Sequence, residues 1–168
     1  RAKFATKMAK NGVAIFNAND ILPTNADGTM KFRQNNDLFY LCGIDQEETI
    51  LLLAPDCPNP AWREVLFLRE TNAHIAVWEG HKYTKEEAFA ASGIENIQWL
   101  PSFDSIFNSV VNLSERIYLN TNEHLRAGVV VETRDARFIK TCKEKYPLHV
   151  VERAAPLMHE LRGVKEPE

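Results

Sequence analysis

Cysteine is scarce in this 168-residue chain. Only Cys42, Cys57 and Cys142 are present, an odd number with no Cys-x-x-Cys pair. That excludes a disulfide framework and a zinc ribbon, and points to a reduced, cytoplasmic protein. Basic residues form no runs, and a net charge of −3 with a pI near 6.0 leaves no electrostatic footprint for nucleic acid or an anionic membrane. No apolar stretch approaches the ~18 residues of a bilayer span, and no charged-then-apolar signal peptide opens the chain. There is no Gly-rich phosphate loop, no Gly-x-Ser-x-Gly elbow and no His-Glu-x-x-His. The five histidines, His74, His81, His124, His149 and His159, are dispersed, so His74 and His81 lack the spacing of a metal site. Cys42 lies in an apolar run and reads as a small buried hydrophobe, not as a nucleophile.

What is present is ordinary globular material: 45 % hydrophobic and 26 % charged residues, enough for one domain with one sizeable core. The stretch Met30–Ala54 stands out. A polar block, Arg33-Gln34-Asn35-Asn36-Asp37, runs into the apolar run Leu38–Ile44. Asp45–Glu48 then make a polar turn, with Glu47 and Glu48 solvated, and Thr49–Ala54 are apolar again. Two short apolar runs around a turn predict a pair of adjacent buried strands. The polar block is either a solvated loop or a polar surface held by those strands.

Phe4, Ala5, Met8 and Ala9 predict a first helix stopped by Asn11-Gly12. Val13–Ala18 reads as a strand, Asn19–Gly28 as a loop, and Arg63–Arg69 as a further strand beyond Pro55–Pro60. Ile75–Trp78 is a short apolar run read as a strand, ending in Trp78-Glu79-Gly80-His81. Thr84 and Glu87 form a capping box for a helix ended by Gly93. Ile97–Leu100 is a brief strand. Phe103, Ile106, Phe107, Val110 and Val111 fall at helical spacing after Pro101-Ser102. Arg116–Asn120 and Leu148–Val151 predict strands. Thr133 caps a helix carrying Phe138, Ile139, Cys142 and Tyr146, and Pro156 opens a last helix with Leu157, Met158 and Leu161. Six or seven strands and four or five helices, with strands bunched in the middle, predict a single α/β domain with a mixed parallel and antiparallel sheet flanked by helices.

Trp78 at the end of its run is either partly buried core or the wall of a ligand mouth or interface. Loops after short strands are where such roles collect.

On these residues the chain resembles a known family. Arg33, Gln34, Asp37, Leu38, Tyr40, Leu41, Gly43 and Ile44 match an Arg-Gln-x-x-Asp-Phe/Leu-x-Tyr-Leu-x-Gly-Phe/Ile segment of Xaa-Pro aminopeptidases (aminopeptidase P), in the creatinase and prolidase superfamily. Ala76-Val77-Trp78-Glu79-Gly80-His81 is similar to a second motif, with His81 where a basic residue is common. Leu157–Arg162 followed by Lys165-Glu166-Pro167-Glu168 looks like the linker helix into the catalytic domain. The resemblance implies a creatinase N-terminal-domain-like fold with a ribonuclease H-like motif. It implies an aminopeptidase P N-terminal domain at residues 1–156 and a linker helix at 157–168 toward a C-terminal pita-bread domain. That catalytic domain would hold two divalent metals, manganese, and cleave an N-terminal residue preceding proline. This chain would hold no cofactor, would be inactive alone, and would have as partners its own catalytic domain, other copies in a homo-oligomer and a proline-containing peptide. By resemblance, Trp78, Asp27 and Arg33 are assigned to the rim of a substrate site. The alternatives are a prolidase N-terminal domain, a metal-free peptide- or protein-binding module of the same fold, and an unrelated α/β domain with a solvated polar block. The start at Arg1 and the charged tail lead to the expectation that this is a piece of a longer protein.

Overall fold

The structure is a computed structural model, and it describes residues 1–164. Its centre is β1 (Gly12–Asn17), with every residue buried. Val13 and Ile15 point to one face, Ala14 and Phe16 to the other, and each face has its own apolar cluster. A strand covered on both faces must be apolar throughout, which explains the unbroken run GVAIF.

Beside it lies β2 (Ile50–Leu53), antiparallel, then β3 (Glu64–Leu68), antiparallel to β2, and β4 (Ile97–Trp99), parallel to β3. On the other side β5 (Arg116–Leu119) runs parallel to β1, and β6 (Val150–Arg153) parallel to β5. The sheet order is β4-β3-β2-β1-β5-β6, with β2 the reversed strand. The mixed sheet expected from the sequence is therefore present. The last strand starts later than expected, since Leu148 is exposed in the turn before it.

Seven helices flank the sheet among the described residues: α1 (Ala2–Lys7), α2 (Asn36–Cys42), α3 (Ala73–Glu79), α4 (Lys85–Ser92), α5 (Phe103–Val111), α6 (Arg134–Lys145) and α7 (Ala155–Gly163). Phe4, Leu38, Ala88 and Met158 bring α1, α2, α4 and α7 to one face. Phe103, Phe107, Val110, Phe138 and Cys142 bring α5 and α6 to the other. Phe103, Phe107, Phe138 and Tyr146 make a chain of ring contacts 5.3–5.9 Å apart between α5 and α6. Each fully buried side chain of this size contributes about 1.5–3 kcal/mol by leaving water.

Two expected strands are helices. Leu38–Ile44 does not pair with β2; most of it forms α2. Asn35 accepts hydrogen bonds from the Asp37 and Leu38 amides at 2.9 and 3.3 Å, and Gly43 ends the helix at φ 71°. Leu38, Leu41 and Cys42 face the core at helical spacing, while Phe39 and Tyr40 are exposed. Cys42 is buried as expected, but on a helix. Ile75–Trp78 likewise lies in α3, capped by Asn72, whose side chain accepts from the Ile75 amide at 2.9 Å, and stopped by Gly80 at φ 76°. In both cases local capping wins over a short apolar run that alone fits either state. The capping box at Thr84 and Glu87 and the cap at Thr133 form as expected. The tail Lys165–Glu168 lies outside the described residues.

Candidate functional site

Strands β1, β3, β4, β5 and β6 all end at the same edge of the sheet, and β2 begins there. The connections gathered at that edge carry the unusual polar residues. The helix after β1 packs on one face and the helix after β5 on the other, so these neighbouring parallel strands form a topological switch point, where a crevice opens at the carboxyl ends of the strands.

Four polar side chains meet at that crevice. Asn17, at the end of β1, donates from Nδ2 to Oδ1 of Asp135 in the first turn of α6, at 3.0 Å. Asn120, just past β5, donates from Nδ2 to Oδ2 of Asp37 in the first turn of α2, at 2.9 Å. Burial pushes the Asp135 carboxyl up to about 6, with the nearby carboxylates of Asp37 and Asp20 adding to the rise and the Asn17 hydrogen bond and Arg134 opposing it. Burial pulls the Arg134 guanidinium down. Arg137 pairs with Asp20 at 2.6 Å and is held up by it.

A second cluster surrounds the turn before β2. Glu47 was expected in solvent. It is instead buried and paired with Lys82, 35 residues away, a partner that no local pattern announces. Gln34 ties the turn to the polar block, donating from Nε2 to the Ile44 and Gln46 carbonyls at 3.1 and 2.9 Å. Gln46 accepts from the Tyr83 amide at 2.7 Å. Glu48, held at φ 59°, faces Arg69 at 3.6 Å, and Arg69 also donates to Glu79 at 2.8 Å. Lys82, Tyr83 and Arg69 thus fasten the C-terminal end of α3 and the segment after it to this turn.

The three residues assigned to a rim are all exposed. Trp78 sits on α3 with 80 % of its surface open, beside Val77 at 77 %. Asp27 is at the tip of a small hairpin closed by the Pro23–Thr29 bridge, with the Thr24 amide on the Gly28 carbonyl at 2.9 Å. Arg33 holds the end of that connection through its carbonyl, which accepts from Asn19 at 3.0 Å. The structure brings all three to one edge of the sheet, Asp27 and Arg33 on the β1–α2 connection and Trp78 beyond β3. No hydrogen bond or ion pair joins one to another among the described residues. The site residues that the sequence reading missed are Asn17, Asp135, Asn120, Arg69 and Lys82; all but Arg69, whose partner Glu79 is ten positions on, are joined to partners 35 or more positions away.

The arrangement offers anchoring, not bond-breaking. The thiols of Cys42 and Cys142 are pushed up by burial to about 11 and about 12, so neither is a thiolate. Among the described residues no three His, Cys, Asp or Glu side chains converge to hold a metal ion. No helix of the described residues is long and apolar enough to cross a membrane.

A family model described as "Aminopeptidase P, N-terminal domain" matches residues 1–118. The whole chain is similar to Xaa-Pro aminopeptidase of Escherichia coli, at 23 % identity, and spans 38 % of that protein. Among solved structures, a Bacillus anthracis protein assigned to aminopeptidase P superposes with a TM-score of 0.84 at 24 % identity, over 99 % of this chain and 39 % of that one. A zinc-substituted E. coli aminopeptidase P in complex with product gives 0.73 at 23 % identity, over 99 % of this chain and 38 % of that one. These likenesses show a shared fold, and the chain spans less than two-fifths of the length of each relative.

Proposed function

Because this chain belongs to the aminopeptidase P N-terminal-domain family, we propose that it is the non-catalytic N-terminal domain of a metal-dependent Xaa-Pro aminopeptidase, which removes an N-terminal residue preceding proline. Residues 1–156 form the body and residues 157–168 the link toward a C-terminal catalytic domain, begun by α7. Two divalent metals, manganese in this reading, belong to that domain, where they activate water. The described residues of this chain do not fit such a centre, since their edge carboxylates are taken up by Asn and Arg partners. In this proposal the chain alone is inactive. The protein is cytoplasmic, and copies of it associate.

The observation that carries the reading is the placement of Trp78. The ring is 80 % open beside the similarly open Val77, and it stands on a helix fastened at its end by Arg69–Glu79. A ring so placed forms the rim of a peptide site in a neighbouring copy. It restricts the mouth to narrow, extended N-termini by shape and apolar contact. The exposed carboxylate of Asp27 attracts the free amine of the peptide, and Arg33 contributes charge at the same edge. Leu125, Val129, Val130 and Val131, exposed on the β5–α6 connection, supply apolar area at that edge for contact between copies.

The test is Trp78→Ala in the longer enzyme. The reading expects KM for proline-containing peptides to rise about tenfold, about 1.4 kcal/mol of lost binding, with kcat little changed. Preference for short peptides should relax as well. Kinetics unchanged across peptide lengths would remove the rim assignment.

A further inference from the structure

Asp37 stands where three elements meet. Its Oδ1 accepts from Arg162 on α7 at 2.7 Å, across 125 positions of sequence. Its Oδ2 accepts from Asn120 at the end of β5 at 2.9 Å. Its own amide is capped by Asn35 at 2.9 Å. The Asp37 side chain is 17 % exposed and that of Arg162 42 %, so the pair is only partly screened.

Asn120 shows what the fold gives up to keep this contact. Its residue is 3 % exposed, and Oδ1 has no partner. Turning the amide over would set Oδ1 against the Asp37 carboxylate, so the donor must face Asp37 and the acceptor is left empty. An unsatisfied buried acceptor opposes folding, so the arrangement is kept for what the donor side provides. The accessible surface of that atom is below 1 Å², so no ligand in the adjoining groove reaches it. The arrangement serves Asp37.

The rest of α7 is held unevenly. Its first half is anchored by Ala154 and Met158, both in the core. Beyond them, Glu160 pairs with Lys7 on the surface, and the Tyr40 hydroxyl reaches the Leu161 carbonyl only at 3.5 Å. The Leu161 side chain packs against the core from the last turn, and beside it Asp37–Arg162 is the polar tether that sets its direction, where a cation also suits the helix dipole.

We propose that Asp37 is a latch that fixes the direction in which the chain leaves the sheet through α7, and so a positioning residue for whatever the chain carries beyond that helix. The identity of the attached part rests on the function proposed above; the latch itself is built from residues of this chain. The leverage is large. A swing of roughly 20° about Met158 would move a point ~30 Å further on by about 10 Å, simple geometry on a 1.5 Å-per-residue helix. Displacements of ~1 Å already matter at a catalytic centre.

The experiment places spin labels at Asn112→Cys, on the end of α5, and Val164→Cys, just past α7. Both positions are exposed, and the three native cysteines are buried. The parent chain should give one narrow distance distribution. Val164 lies six residues, ~9 Å, beyond Met158, so the same swing moves it by about 3 Å, and Arg162→Met and Asp37→Asn should each broaden the distribution by about that much. Their combination should broaden it no further than Asp37→Asn alone, because that variant already removes the partner of Arg162 while also disturbing the bond from Asn120. Arg162→Lys should restore most of the parent distribution. Arg162 is surface-placed, so its variants remain folded even where Asp37→Asn does not. Unchanged distributions in Arg162→Met, or additive broadening in the double variant, would overturn the latch. The longer protein, if it is an aminopeptidase, should show a raised KM in Arg162→Met and rescue by Arg162→Lys. A broadened distribution with unaltered KM would overturn the positioning role. Absence of aminopeptidase activity in the unsubstituted protein would instead defeat the function proposed above and leave the distance result standing.

Discussion

Asn17 and Asn120 end neighbouring parallel strands, and each gives its side-chain amide to the carboxylate at the head of the helix that follows the other strand. Asn17 reaches Asp135 on α6, and Asn120 reaches Asp37 on α2. The two bonds cross the switch point and tie together helices that pack on opposite faces of the sheet. The exchange spans the switch point beside the groove that this topology opens.

The Asp135 half of the cross should make stability depend on pH. Its carboxyl is raised to about 6 in the folded chain, against about 3.9 when unfolded. Between these values the folded state binds more protons than the unfolded one, so stability falls as pH rises from about 4 to about 6. Asp135→Asn should flatten that slope, a change on the order of 2 kcal/mol between the ends of the window. Asn17→Ala should steepen it by removing the donor that favours the charged form. Urea melts at pH 4.5 and 7.5 decide the matter; identical slopes in all three chains would refute it.

Helix caps give a second prediction with two different readouts. Asn35→Ala removes the acceptor for two amides of α2, which carries Leu38, Leu41 and Cys42 into the core. Global stability should drop by about 1 kcal/mol. Asn72→Ala removes the corresponding bond from α3, whose Val77 and Trp78 lie in solvent. There the loss should be local: faster amide exchange within α3 and an unmoved urea midpoint. Equal midpoint shifts in the two variants would show that α3 is part of the core after all.

These same caps explain what the sequence reading caught and what it missed. The α5 helix was legible because Phe103, Ile106, Phe107, Val110 and Val111 repeat over three turns, and Thr84 and Thr133 were legible as caps. Leu38–Ile44 and Ile75–Trp78 are too short for periodicity to separate helix from strand. Yet Asn35 precedes Gly43, and Asn72 precedes Gly80, by the same eight positions, and that cap-to-glycine spacing was the available signal. No comparable signal marks Glu47, Asn120 or Asp135. Their partners are 35, 83 and 118 positions away, so only the folded chain pairs them. Trp78 and the polar block at Arg33 stood out from their neighbours in sequence, but the rim role of Asp27, Arg33 and Trp78 came only from the family resemblance.

The three thiols should be silent in the native chain. Cys42, Cys57 and Cys142 are all buried, and Cys42 and Cys142 are also held protonated. An aromatic disulfide reagent at pH 8 should find no reactive thiol before unfolding and all three in denaturant. Rapid modification of even one in the native state would contradict the packing of α2, of α6 or of the connection after β2.

The Glu47–Lys82 pair offers the sharpest separation of stability from function. Both side chains are almost shielded, at 10 % and 15 % exposure. Removing one partner strands a charge: Lys82→Met should cost about 3 kcal/mol. Removing both with Glu47→Gln and Lys82→Met should recover most of that loss, because a neutral pair carries no stranded charge. Arg69→Met acts on the same helix from the other side. Its partners Glu48 and Glu79 are far more exposed, so its cost in stability should stay below about 1 kcal/mol. If the turn before β2 exists to hold the helix of Trp78, Arg69→Met should nevertheless raise KM in the longer enzyme as Trp78→Ala does, and the double variant should be no worse than Trp78→Ala alone. An additive double variant would mean that Arg69 serves the sheet edge by itself, independent of Trp78.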